Sequence, residues 1–173
     1  MESAEWPLDV LANYIEQTHH QYCERQINII SPLLEALVLD ESYEKSIGME
    51  IAELFKKTAG EMSVHMKKEE LMLFPFIKKM VRMDQESIAW TPPRFGTVEN
   101  PIEMMLEDHQ EELARFERIR TLTDNYQISG EAAVVELLNL LKAFQLDLIE
   151  HIHLENDILF PKALLLEKKL TKN

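Results

Sequence analysis

A histidine followed four residues later by a glutamate occurs twice in this chain, each time just ahead of Leu-Phe-Pro. His65 and Glu69 precede Leu73-Phe74-Pro75; His151 and Glu155 precede Leu159-Phe160-Pro161. Residues four apart on a helix are neighbours on one face, with Cβ atoms about 5–6 Å apart. Each copy therefore presents an imidazole beside a carboxylate. Two such helices facing one another would supply half or more of a two-metal site. The donors are nitrogen and oxygen with no thiolate, which suits iron or manganese and admits zinc. Two carboxylates suit bridging of two ions. Open positions would then remain for water, oxygen or another small ligand.

The elements that must position these groups are helical. Leu, Glu, Lys, Ile and Met dominate, and only 4 of 173 residues are glycine, a composition that favours helix. Four helical patterns run from about Pro7 to Leu39, Tyr43 to Met83, Asn100 to Asp124, and from just after Ser129-Gly130 to about Lys169. Asn100-Pro101-Ile102-Glu103 reads as a helix start, with an Asn cap and Pro at the first helical position. Residues 84–98, with Pro92-Pro93 and Gly96, form the long connection. Pro32, Pro75 and Pro161 predict kinks or local breaks inside helices. Residues 1–173 thus read as one all-α domain, an antiparallel up-down four-helix bundle.

On these helices the histidines fall in register with the apolar stripes. His65 and Glu69 fill the gap in Ile47, Ile51, Leu54, Met62, Met72, Phe76, Met80. His151 and Glu155 fill the gap in Val134, Leu137, Leu141, Phe144, Leu148, Ile158, Leu165. His109 shares a face with Ile102, Met105, Leu113 and Phe116. Heights agree as well. His20 and His65 lie 21 and 24 residues either side of residue 41, and His109 and His151 lie 18 and 24 either side of residue 127. At about 1.5 Å per residue all four helices aim their histidines at one level.

The plainer reading is a set of surface His–Glu pairs or satisfied core histidines. An i,i+4 pair contributes only about 0.2–0.5 kcal/mol, whereas an unpaired buried charge costs several kcal/mol. Four imidazoles and two carboxylates at one level of a core need a stronger partner, and metal ions supply it.

Composition narrows the partners. A net charge of −13 argues against nucleic-acid backbones and anionic membranes. No uninterrupted apolar run of about 18 residues predicts a membrane span, and the first residues lack a signal-peptide pattern. The lone cysteine, Cys23, fits a reducing compartment, so a cytoplasmic location is expected. No Ser-His-Asp or Cys-His nucleophile arrangement and no glycine-rich phosphate loop is evident. No catalytic residue is assigned, and hydrolytic or nucleotide chemistry is not indicated.

The stretches Tyr14-Ile15-x3-His19-His20, Glu61-x3-His65-Met66-x-Lys68-Glu69-Glu70-x2-Leu73-Phe74-Pro75, Glu107-Asp108-His109 and His151-Ile152-x-Leu154-Glu155-Asn156-x2-Leu159-Phe160-Pro161 touch all four helices. On them the chain resembles hemerythrin-like domains, and within that group the Repair of Iron Centres family of bacterial di-iron proteins. The resemblance implies a bundle holding two non-haem iron ions, with His20, His65, His109 and His151 as terminal ligands. It implies bridging by Glu69 and Glu155, with room for an oxo bridge. It also implies a role in nitrosative and oxidative stress: restoring damaged iron–sulfur proteins, by iron donation, and binding or reducing nitric oxide. Oxygen-carrying hemerythrins have a fifth histidine one turn after the third-helix ligand; here Leu113 stands there. Family members often carry a small N-terminal domain with adjacent cysteines, while this chain starts almost directly with the bundle. A non-catalytic protein that binds or senses oxygen, nitric oxide or iron is the alternative, and a bundle whose metals only stabilise the fold is a third.

Some residues need separate weighing. His19 and His20 lie about 100° apart, so one of them is expected to face the metals. Leu8, Leu11 and Ile15 favour His19; Cys23, Ile27, Ile30, Leu34 and Leu37 favour His20, as does the resemblance. Glu61 lies one turn before His65, where it could serve a ligand imidazole or relay protons. Cys23 borders the pocket as a small buried filler. His153 should face solvent. Asp108, Glu111 and Glu112 read as surface charge.

Overall fold

The computed structural model describes residues 5–39, 44–127 and 131–172. Helix α1 covers residues 8–39, α2 covers 45–85, α3 is Glu99–Leu122 and α4 covers 132–170. Among the described residues there is no strand. Each helix packs against its neighbours in sequence, and α1 against α4 closes the ring. The result is the expected four-helix bundle. Ser129 and Gly130, read as the start signal of α4, lie outside the described residues.

Three of the four helices leave α geometry at one point. A π turn covers Glu16–His20 in α1, Glu69–Leu73 in α2 and Leu154–Leu159 in α4. There the N–H groups of Gln21, Phe74 and Phe160 bond the carbonyls of Glu16, Glu69 and Glu155, five residues back. A π turn inserts one residue and so rotates everything beyond it by about 100°. Pro75 and Pro161 each stand second in the α segment that follows. The breaks expected there take the form of π turns, whereas α1 continues through Pro32.

The rotation corrects the apolar stripes. Met72, expected in the core, is 45% exposed, and Leu165 is 67% exposed; Leu73 and Ala163 are buried instead. In α1 the same device reconciles the two competing stripes. Leu8, Leu11 and Ile15 are buried on one side of the turn, Cys23, Ile30, Leu34 and Leu37 on the other, and both His19 and His20 are buried within it. Burial therefore does not by itself separate the two histidines.

Helix α3 also starts differently from the sequence reading. It begins at Glu99 with no side-chain cap. Asn100 instead donates its amide to the Phe95 carbonyl at 2.8 Å. The cap comes from the far end of the chain: the Val98 N–H donates to both oxygens of Glu167 on α4, at 3.1 and 3.2 Å. The histidine level divides the core in two. Leu11, Ile15, Phe76, Met80, Ile102 and Met105 pack at one end. Ile30, Phe55, Met62, Phe116, Phe144 and Leu148 pack at the other.

Candidate metal centre

Between these two cores the π turns deliver their side chains to one point. Ligand-type atoms of His20, Glu69, His151 and Glu155 lie within 4.8 Å of one another, and so do those of His65, Glu69, His109 and Glu155. The two groups share Glu69 and Glu155 and differ in their imidazoles. All six residues are buried. His20 Nε2 lies 3.4 Å from Glu69 and 3.8 Å from Glu155. His65 Nε2 is 3.4 Å from Glu69, His109 Nε2 is 3.1 Å from Glu155, and His151 Nε2 is 3.0 Å from Glu155.

Three of the imidazoles are oriented from behind by an oxygen acceptor. The Nδ1–H of His20 donates to Glu70 at 3.0 Å, that of His65 to Asp108 at 3.3 Å, and that of His109 to Asn156 at 2.8 Å. A proton on Nδ1 leaves the Nε2 lone pair pointing inward, the tautomer a metal needs. These acceptors are braced in turn: Lys67 donates to Glu70 at 2.6 Å, and Lys68 lies 3.6 Å from Asp108. The sequence reading had Asp108 as surface charge and missed Glu70 and Asn156. Their signal was adjacency to a ligand: each stands one residue before or after Glu69, His109 or Glu155.

The remaining residues separate clearly. His153 is exposed and pairs with Asp157. Glu61 pairs with Arg115 at 2.6 Å and Lys57 at 3.7 Å, not with an imidazole. Glu112, read as surface charge, is buried and accepts from Arg115 at 2.6 Å. Cys23 is fully buried. Burial and then the nearby carboxylates of Asp147, Glu155 and Glu112 push its thiol well up, so it is an inert filler rather than a nucleophile.

Electrostatics tests whether a metal fits. Burial works against a charged His20, yet its contacts with Glu155 and Glu69 prevail and hold it up at about 10. His65 is likewise opposed by burial and raised to about 9, chiefly by Glu69. Burial works against charge on both Glu69 and Glu155, and Glu155 also repels charge on Glu69, but the surrounding imidazoles hold both below the usual carboxylate range. His151, the least exposed of the four imidazoles, is lowered by burial. The centre thus requires positive charge between two buried carboxylates. Both oxygens of Glu69, one of Glu155 and Nε2 of His20 have no hydrogen-bond partner among the described residues. The Nε2 atoms of His65 and His109 face each other at 3.1 Å, which two lone pairs tolerate only with a cation or proton between them. This all-nitrogen and oxygen donor set fits metal ions of the iron and manganese kind.

The model of the hemerythrin HHE cation binding domain matches residues 12–163. The chain belongs to the hemerythrin HHE family. This hemerythrin-family chain is 31% identical over 160 residues to the iron-sulfur cluster repair protein DnrN of Neisseria gonorrhoeae, covering 91% of this chain and 92% of that protein. It is 29% identical over 160 residues to the iron-sulfur cluster repair protein YtfE of Musicola paradisiaca, covering 91% of this chain and 66% of that protein. A probable iron-sulfur cluster repair protein of Haemophilus influenzae is 30% identical over 161 residues, 88% of this chain and 66% of its own. The chain therefore spans nearly all of one of these relatives and just under two thirds of the other two. No described helix is long and apolar enough to cross a membrane.

Proposed function

We propose that this chain holds two iron ions and serves in the repair of iron–sulfur clusters. The observation that carries the reading is the pair of four-residue groups sharing Glu69 and Glu155, in a chain similar to proteins named for cluster repair. His20 and His151 would hold one ion and His65 and His109 the other, with Glu69 and Glu155 common to both groups. With two imidazoles and two shared carboxylates at each position, these residues would leave room for a small ligand such as water, dioxygen or nitric oxide. A non-haem iron pair supplies redox chemistry and small-ligand binding. The protein supplies the tautomers, fixed by Glu70, Asp108 and Asn156, and the dry surroundings given by Phe74 stacked on His20 and Phe160 on His109. Imidazole and carboxylate must be free of protons to hold a metal, so retention of iron would depend on pH. The clients are damaged iron–sulfur proteins in the cytoplasm.

The test is direct. Anaerobically reconstituted protein is expected to carry two irons per chain, to bind nitric oxide when reduced, and to restore a nitric-oxide-treated [4Fe–4S] dehydratase. Glu155→Ala is expected to lose both ions and the recovery, while His153→Ala retains them. At most one metal per chain would end the two-metal reading. Nitric oxide binding without recovery would make the protein a binder or sensor instead.

A further inference from the structure

The four inward-facing imidazoles are not held alike. His20, His65 and His109 each have an oxygen behind Nδ1, but Nδ1 of His151 is buried with no hydrogen-bond partner among the described residues. His151 has a neighbouring ring instead. His19 stacks on it with centroids 5.6 Å apart and planes 12° from parallel, an offset-stacked geometry. His19 is fixed in its own right: its Nδ1–H donates to Asp147 Oδ1 at 3.0 Å. Tyr14 packs edge-on against it at 5.7 Å. Asp147 lies one turn before His151 on α4. The chain of contacts therefore leaves α4, crosses to α1 through His19, and returns to α4 on the face of His151.

We infer that His19, anchored by Asp147, is the positioning residue for His151, standing in for the acceptor that the other three imidazoles have behind Nδ1. The inference rests on the proposed two-metal reading and deepens it. A stacked face keeps a ring from tilting, but it does not resist rotation within the plane as a hydrogen bond does. His151 is thus the most easily displaced imidazole, and the position it forms with His20 is the one that exchanges its metal. The π turn in α1 is what makes this possible: it buries His19 and His20 together, one facing the metals and one facing a ligand.

The experiment follows release of iron from loaded protein to an excess of a strong chelator, alongside the thermal midpoint of the metal-free protein. Wild type is expected to release its two ions in two phases. His20→Ala, which removes the other imidazole of the same position, should leave only the slow phase. His19→Ala should speed the fast phase by about ten-fold or more, the usual effect of losing a residue that orients a metal ligand, with the slow phase unchanged. His19→Phe keeps the stacked face and should recover most of the wild-type rate. Should His19→Ala fail to fold, Asp147→Ala carries the test, since it frees His19 without removing it; its expected effect has the same direction and is smaller. Two metals released from His19→Ala at wild-type rates, or both accelerated equally, would overturn the inference while leaving the two-metal reading intact. A wild-type chain holding at most one metal would overturn both.

Discussion

The two ends of the bundle, either side of the histidine level, are built on different helical phases. The end holding Phe55, Phe116 and Phe144 follows uninterrupted α-helix. Its three rings are fully buried and mutually packed, with Phe116 and Phe144 stacked at 5.2 Å and Phe55 edge-on to both, at 5.5 Å to Phe144 and 6.4 Å to Phe116. The other end lies beyond the π turns in α2 and α4. Its aromatic cluster recruits the connecting segment: Phe76 packs edge-on against Trp90 and Phe95 at 5.8 and 5.5 Å. One phase cannot serve both a metal centre and two cores. A stripe wide enough to present His65 and Glu69 inward would also have carried Met72 into the core; the extra residue rotates Leu73 there instead.

That difference should be measurable in stability. Phe144→Ala in the metal-free protein is expected to cost about 3–5 kcal/mol in denaturant unfolding, because the ring is fully buried among two others and its loss opens a cavity. Phe95→Ala, on a partly buried ring at the opposite end, should cost clearly less. Equal losses would mean that the two ends share one cooperative packing and that the connecting segment is as firmly held as the ring cluster.

The phase shift itself is tested at neighbouring positions. Leu73→Ala is expected to cost about 2–5 kcal/mol, while Met72→Ala, on an exposed residue, should stay within about 0.5 kcal/mol. Unbroken α geometry predicts the opposite order. A reversal in chemical unfolding would remove the π turn from α2.

Acidity separates the centre from both cores. His20 and His65 are held above their ordinary value, at about 10 and about 9. A raised imidazole contributes stability fully present below its unfolded pKa, about 6.5, and lost as pH rises through the folded value. Glu69 and Glu155 are lowered, so their contribution is present above about 4.3 and lost as pH falls. His151 is lowered too, which weakens the fold further on the acid side. Metal-free protein is therefore expected to be most stable between about pH 5 and 6.5 and to lose stability through pH 9 to 10. Metal binding needs the imidazoles free of protons, so stabilisation by added metal should grow over the range in which the metal-free protein weakens. Thermal midpoints across pH, with and without metal, check both slopes.

Much of this was legible in the sequence, and the illegible part has one physical origin. The doubled His-x3-Glu-x3-Leu-Phe-Pro pattern and the distances of His20, His65, His109 and His151 from the turns indicated four helices and one level. A period of 3.6 carried across the whole of α2 or α4 then misplaced Met72 and Leu165, because periodicity assumes the phase it is meant to reveal. The stripes of α1 did register the shift, as two incompatible faces meeting at His19 and His20. Asp108 read as surface charge, and Glu70 and Asn156 went unassigned, since a single helix does not say which neighbour's histidine lies across its edge. Arg115 hides Glu112 in the same way.

The smallest effect concerns the end of the bundle that holds Phe76 and Ile102, where the sequence placed a cap at Asn100. The Val98 N–H is among the groups a helix start leaves without an intrahelical partner, and Glu167, 69 residues away, accepts it with both oxygens. Burial raises the Glu167 carboxyl, and the hydrogen bond from Val98 opposes that rise. Glu167→Gln keeps an acceptor and the shape but removes the charge, and should cost about 0.5–1 kcal/mol. Glu167→Ala removes the acceptor and should cost about 1–2 kcal/mol, the range for lost helix caps. Asn100→Ala, whose amide only bridges to the exposed Phe95 carbonyl, should fall below both. Hydrogen exchange at the Val98 amide gives the local reading: it should quicken in Glu167→Ala and stay near wild type in Asn100→Ala. The reverse pattern would return the cap to the position that the sequence suggested and detach the end of α4 from the start of α3.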